Sequence, residues 1–146
     1  MYLVDTNVIS ISAPATAVRR AAILQWMESN SQNLFLSAVS VAEIADGVAK
    51  AHRTGATRKA TDLAAWLKTV LHLYGDRVLS FDTPTAEIAG GLSDLARGRG
   101  HSPGLADVII AATAKRHGLT VLSRNARQFM PLEVRVIDPF RDFPSA

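Results

Sequence analysis

Short apolar runs alternate with longer amphipathic stretches along the chain. Five runs are short and mostly apolar, at residues 2–4, 34–36, 78–81, 119–122 and 134–137. Such runs are typical of strands covered on both faces, as in a parallel sheet. The stretches between them place apolar residues at helical spacing. The alternation therefore predicts an α/β fold in which helices cover both faces of a parallel five-stranded sheet.

The predicted helices lie between these strands, and the one at 106–117 is apolar nearly all round, which indicates burial. No repeat and no linker marks a second domain, so we expect one domain over residues 1–140 and a loosely packed tail at 141–146. The helix at 39–52 has an apolar stripe formed by Val41, Ile44, Ala45 and Val48. The other helices are predicted at 17–29, 57–74 and 83–98, with a short one ending near 129.

Polar residues follow four of the five predicted strands. Parallel strands bring their carboxyl ends to one edge of the sheet, which is where such sheets bind ligands. Glu43 and Asp107 lie in the first turns of two predicted helices, and helices begin at that same edge. The pattern therefore predicts a cleft lined by acids. The strand-end residues are Asp5, Thr6 and Asn7, then Ser37, then Asp82, and then Ser123, Arg124 and Asn125.

The acids of this predicted cleft favour a metal site. Crowded carboxylates repel one another, and their pKa values rise unless a cation is present. Three or four oxygen ligands without His or Cys suit a hard octahedral ion, Mg²⁺ or Mn²⁺. Such an ion contacts phosphate oxygens and can activate a water for phosphodiester cleavage. The pattern therefore favours metal-dependent chemistry on phosphate esters.

Each of these residues also has a purely structural interpretation. Asp5 fits a cap of the turn that follows it, and Asp107 fits a carboxylate placed to favour a helix dipole. Helical spacing puts Glu43 away from the apolar stripe, so spacing alone favours a solvated side chain. Asn125 by itself is an ordinary loop residue. Asp82, which precedes a Pro at the next helix start, predicts an N-cap, and that interpretation is retained.

Composition narrows the classes of function. The chain has 146 residues, a net charge of +3 and no cysteine, which excludes disulfides, thiol catalysis and Cys-ligated zinc. No apolar run reaches the ~18 residues of a membrane-spanning helix, and the composition suits a cytoplasmic protein. A sequence pI of 9.7 is compatible with a nucleic-acid partner. Arg124, between two candidate site residues, is predicted to contact a phosphate.

Four sequence blocks in a set order identify a resemblance. The chain resembles PIN domains and, more closely, VapC-type toxins, including the FitB-like branch. The resemblance implies a five-stranded sheet of order 3-2-1-4-5 and Mg²⁺- or Mn²⁺-dependent endoribonuclease activity. It also implies a homodimer and a small VapB-type antitoxin that blocks the site. The blocks are residues 2–10, 36–43 with Gly47 and Val48, 106–112, and 122–125 with Phe129.

The family's acidic positions match this chain one by one. The first acid falls on Asp5, the second on Glu43 and the third on Asp107, and the resemblance makes these metal ligands, Glu43 directly or through water. The fourth position, Asp or Asn in different members, falls on Asn125, which we expect to be a weaker ligand or a supporting group. The polar positions that line the family's cleft fall on Asn7, Ser37 and Ser123.

Two positions depart from the family pattern. Ile11 and Gln128 stand where many members have an acid, and with Asn125 neutral as well this edge carries less negative charge. The chain is therefore predicted to be an endoribonuclease that acts through a metal-activated water, as the toxin of a type II toxin–antitoxin system. A non-catalytic RNA- or partner-binding module on the same fold is the main alternative, and a small-molecule phosphatase is the third.

Overall fold

Five parallel strands form the central sheet, in the order β3-β2-β1-β4-β5. The structure is a computed structural model that describes residues 1–14 and 21–142. The predicted topology and strand order are confirmed. The strands are β1 Tyr2–Val4, β2 Leu34–Ser37, β3 Val78–Leu79, β4 Thr120–Leu122 and β5 Val136–Ile137. The helices are α1 Thr6–Ile9, α2 Ala21–Ser29, α3 Ala38–Arg53, α4 Thr57–Tyr74, α5 Thr83–Gly98, α6 Leu105–His117 and α7 Ala126–Phe129.

Strand β1 lies at the centre of the sheet. Tyr2 pairs with Leu34 of β2 on one side and with Thr120 of β4 on the other. The backbone N–H of Asp5 donates to the Leu122 carbonyl over 2.9 Å, so pairing continues to the last residue before α1. This register places the Asp5 side chain where the central strand stops.

Both faces of the sheet are covered by helices. Leu3 and Val121 pack into one cluster with residues of α5 and α6, whereas Val4 and Leu122 pack into another with residues of α1, α2, α3 and α4. Successive strand residues point to opposite faces, so an unbroken apolar strand requires two covered faces. Helix α6 is buried at every position from 108 to 114, as its all-round hydrophobicity predicts.

The edge strands are shorter than predicted. β3 ends at Leu79 and β5 begins at Val136, and Phe81 is 44% exposed. Both edge strands pair on one side only. At a sheet edge, therefore, the apolar run in the sequence is longer than the paired strand in the structure.

The apolar stripe predicted on α3 is also partly wrong. Ile44 is buried, but Ala45 is exposed, and the other buried residues of α3 are Ser40 and Ala51. A search for apolar spacing overlooks a buried serine.

Parts of two predictions lie outside the described residues. The predicted helix at 17–29 is described only from Ala21, where α2 begins, and residues 143–146 of the predicted tail are not described. Within the described ranges, no helix combines the length and hydrophobicity needed to span a bilayer.

Candidate active site

A cleft of about 410 Å³ opens at the carboxyl edge of the sheet, beside the end of β1. The residues of this acidic cleft come from the ends of β1 and β4 and from the starts of α3, α6 and α7. Residues as far apart in the chain as Asp5 and Gln128 are thus brought together. The lining includes Asp5, Asn7, Glu43, Asp107, Asn125 and Gln128.

Asp5 is held in place through both carboxylate oxygens. Oδ1 accepts from the Thr6 backbone N–H over 2.7 Å and Oδ2 accepts from the Ser123 hydroxyl over 2.7 Å. The residue is only 6% exposed. Burial raises the pKa of Asp5, the Ser123 and Thr6 hydrogen bonds lower it, and the Glu43 charge adds a smaller increase. The structural alternative for Asp5 holds in part, because Asp5 is the N-cap of α1, but it borders the acidic cleft as well.

Glu43 reaches the acidic cleft from the exposed side of α3. Its Oε1 accepts a hydrogen bond from the Thr6 hydroxyl over 2.7 Å. The spacing correctly indicated an exposed side chain. Around Glu43, the exposed side of α3 forms a wall of the acidic cleft. Glu43 is therefore solvated and also points into the cleft.

Asp107 lies in the first turn of α6 and is half-buried. Burial raises its pKa, and the charges of Asp5 and Glu43 raise it further. A helix N-terminus stabilises a nearby carboxylate, yet the direction of the shift is upward. The three acids therefore lie close enough to repel one another.

A buried serine connects the ends of β1 and β4. The Ser123 hydroxyl accepts from the Asn7 side-chain amide over 3.3 Å and from the Asn125 backbone N–H over 3.0 Å, while it donates to Asp5. The Asn7 Oδ1 accepts from the Arg124 backbone N–H over 3.1 Å. Ser123 has no exposed surface. The predicted cleft contact at Ser123 is therefore wrong, since this residue lies beneath the cleft and orients Asp5.

Two other predicted contacts lie outside the acidic cleft. Ser37 is 1% exposed and caps α3 by accepting from the Val39 N–H over 3.2 Å, so the predicted cleft contact is wrong. The Arg124 guanidinium lies 4.5 Å from the centre of the Phe140 ring, in a neighbouring cavity. Asp82 is the N-cap of α5, as predicted.

Gln128 is a cleft residue that the sequence did not identify as such, and Thr6, expected at the cleft as a strand-end residue, makes a contact that was not predicted. Thr6 directly follows a strand-end acid, and its hydroxyl holds Glu43. The sequence signal for this contact was the hydroxyl side chain directly after Asp5, a candidate metal ligand. Gln128 was identified from the sequence only as a position where many family members have an acid. In the structure this position borders the cleft.

The donor set fits a hard divalent cation. The described lining of the acidic cleft offers carboxylate, amide and hydroxyl oxygens, with no imidazole or thiolate, and two of its acids have raised pKa values that a bound cation would reverse. In residues 1–14 and 21–142, however, no three acidic or imidazole groups already stand at the spacing of a single metal site. Glu43 is turned toward Thr6. An ion held by all three acids would therefore need these side chains to rearrange or bridging waters between them, which Mg²⁺ ordinarily keeps.

Comparison with known proteins assigns this arrangement to a family. The PIN domain model matches residues 2–130. The chain is 35% identical over 143 residues to Toxin FitB from Neisseria gonorrhoeae, an alignment covering 97% of this chain and 100% of that protein. It is 34% identical over 142 residues to VapC ribonuclease Y4jK from Sinorhizobium fredii, covering 96% and 98%.

A solved structure agrees with this assignment. The crystal structure of FitAcB from Neisseria gonorrhoeae superposes with a TM-score of 0.83 at 36% identity, covering 96% of this chain and 99% of that one.

Proposed function

Since this chain belongs to the PIN-domain family, with a FitB toxin and a VapC ribonuclease among its relatives, we propose that it is a Mg²⁺- or Mn²⁺-dependent endoribonuclease. One observation carries the proposal: Asp5, Glu43, Asp107 and Asn125, distant in the sequence, border a single cleft. The proposed substrate is an RNA phosphodiester bond, hydrolysed to a 5′-phosphate and a 3′-hydroxyl.

The chain's own residues have distinct roles in this proposal. Asp5 and Asp107 bind the ion, Glu43 binds it directly or through water, and Asn125 adds a neutral oxygen. Ser123 and Thr6 keep the Asp5 carboxylate oriented through the two hydrogen bonds described above. When bound, the ion would neutralise the carboxylates, hold a phosphate oxygen and lower the pKa of a water.

We further propose that the protein is the toxin of a type II toxin–antitoxin pair. Toxin FitB, a relative over nearly the full length of both chains, supports this assignment. A small VapB-type antitoxin would block the acidic cleft, and the toxin would form a homodimer. Co-expression with the small reading frame next to its gene is expected to relieve growth arrest and yield a stable complex on gel filtration.

A non-catalytic RNA-binding module is the second candidate. Its support is that Asn125 and Gln128 contribute no charge and that Glu43 is turned toward Thr6. This candidate predicts RNA binding that EDTA does not change, and no cleavage in any divalent ion.

Purified protein incubated with RNA distinguishes these candidates. We expect cleavage with Mg²⁺ or Mn²⁺, none with EDTA, and recovery when excess Mg²⁺ is added back. Asp107→Asn should bind RNA without cleaving it. Cleavage at the wild-type rate by Asp107→Asn would reject the site.

Phosphate release from a generic phosphomonoester, without RNA cleavage, would favour a phosphatase. Sequencing of new 5′ ends after induced expression, with Asp5→Asn as the control, would identify the target RNA.

A further inference from the structure

A second cavity, of about 520 Å³, adjoins the acidic cleft on the side of α7 and the segment after β5. We call it the arginine pocket. Its lining shares Asn125 and Gln128 with the acidic cleft, so the two spaces are adjacent. The arginine pocket is lined by Arg124, Arg127 and Arg141, with Asn125, Gln128 and Asp138.

The two adjoining spaces have opposite charge. The acidic cleft contains three carboxylates, and its described lining contains no Lys or Arg. The arginine pocket contains three guanidinium groups and one carboxylate, Asp138. An Asp138 oxygen, Oδ1, accepts from the Phe140 N–H over 2.9 Å, and the other, Oδ2, lies 3.7 Å from Nε of Arg141. The arginine pocket is therefore net positive even with this pair formed.

We propose that the arginine pocket binds the RNA phosphates next to the scissile one, an inference that rests on the proposed function. RNA brings negative charge to a cleft that is itself acidic, so binding requires cations within reach of the same strand. Arginine suits this role because its planar fork donates two hydrogen bonds to a phosphate. An RNA strand that occupies both the acidic cleft and the arginine pocket places one phosphate beside the acids and the flanking phosphates beside the arginines.

The side chains of the pocket differ in how they are held. Arg124 is placed over the Phe140 ring, a cation–π contact that restricts its position. Arg127 and Arg141 are exposed, and Arg127 forms no ion pair within the described part of the chain. Gln128, at the junction of cleft and pocket, offers amide donors without adding charge.

RNA binding measured separately from cleavage tests this proposal. In an Asp107→Asn background, fluorescence anisotropy with a short single-stranded RNA gives Kd over a range of salt concentrations. We expect Arg127→Gln and Arg141→Gln each to raise Kd several-fold and to reduce the slope of log K against log salt by about 0.7. Asp138→Asn, which removes the one acid in the described lining of the arginine pocket and keeps the acceptor for Phe140, should lower Kd.

Arg135→Gln is the matched control. Arg135 is exposed and precedes β5, at the opposite end of that strand from the arginine pocket, so Kd and slope should not change.

The outcomes separate this inference from the proposed function. If wild-type protein cleaves RNA but the double variant Arg127→Gln/Arg141→Gln keeps its Kd and salt slope, the pocket assignment is overturned while the nuclease stands. An equal effect of Arg135→Gln also overturns it, and so does a complete lack of RNA binding. If no cleavage occurs in any metal but RNA binding still depends on these arginines, the pocket assignment is supported and the nuclease is rejected.

Discussion

Asp5 and Asp82 occupy equivalent places in the chain and opposite electrostatic environments. Each follows a strand and caps the helix that comes next. Asp5 is 6% exposed, and burial raises its pKa. Asp82 is much more exposed, and hydrogen bonds from Thr85 and Arg116, together with the Arg116 charge, lower its pKa below its usual range.

The difference lies in what surrounds each acid. Asp82 follows an edge strand, and its carboxylate forms an ion pair with the guanidinium of Arg116 at the end of α6. Asp5 ends the central strand, where the nearby charged groups are the acids Glu43 and Asp107. A strand-end acid that finds a cation within its own chain has a structural role. One that is buried among other acids has a raised pKa and, in the part of the chain that the structure describes, no internal cation beside it, and this is the environment on which the proposed metal site rests.

Cleavage assays offer the strongest contrast between these two acids. Asp5→Asn should reduce RNA cleavage by about 100-fold or more, because several kcal/mol of charge stabilisation are lost with the ligand. Asp82→Asn should cleave at close to the wild-type rate. Initial rates on one RNA at saturating Mg²⁺ measure both. Comparable losses in the two variants would mean that Asp5 acts only through the fold.

Added Mg²⁺ should stabilise the wild-type protein through the same acids. At 100 times its Kd, a ligand of the native state contributes about 2.7 kcal/mol, which is a rise of several degrees in Tm for a domain of this size. Asp82→Asn should keep this rise and Asp107→Asn should lose most of it. Melting curves with EDTA, Mg²⁺ and Ca²⁺ provide the measurement. A rise of equal size in Asp107→Asn would remove that residue from the proposed metal site.

The lowered pKa of Asp82 predicts a pH-dependent contribution to stability. Its folded pKa lies below the unfolded value near 3.8, so the contribution is present above pH 3.8 and is lost as the pH falls through the folded pKa. Asp82→Asn keeps an N-cap oxygen but loses the charge that pairs with Arg116. We expect a lower Tm than wild type at pH 7 and a smaller difference near pH 2. A constant difference at both pH values would contradict the charge effect.

Asp107→Asn should show the smallest change in Tm, opposite in sign to that of Asp82→Asn. Its pKa is raised, so ionisation costs native-state stability above the folded pKa, and the cost disappears as the pH falls below the unfolded value near 3.8. Asp107→Asn should therefore raise Tm at pH 7 in EDTA. Solvent screening limits the gain to less than about 1 kcal/mol for this half-exposed group. The gain should shrink in high salt, and a decrease in Tm would contradict mutual repulsion.

Local pattern was sufficient for most of the fold. The apolar runs located all five strands, and the cap signals at Pro84 and Gly118 located a helix start and a helix end. Pattern was least successful at the edge strands and on α3, where burial depends on which neighbour covers a side chain. Glu43 shows the same limit at the site, since its helical spacing cannot distinguish bulk solvent from a cleft wall.

The sequence by itself determined where the central strands end and where the helices that follow them begin, and therefore which polar groups gather at the carboxyl edge. Periodicity and capping act between residues a few positions apart, so they can be read from the chain. Only the tertiary structure decided how those groups are paired. Thr6 meets Glu43 across 37 positions, and Arg116 meets Asp82 across 34. Such contacts follow from helix packing on the sheet. They distinguish Asp82, which is paired with Arg116, from Asp5 and Asp107, whose pKa values are raised by burial and by neighbouring acids.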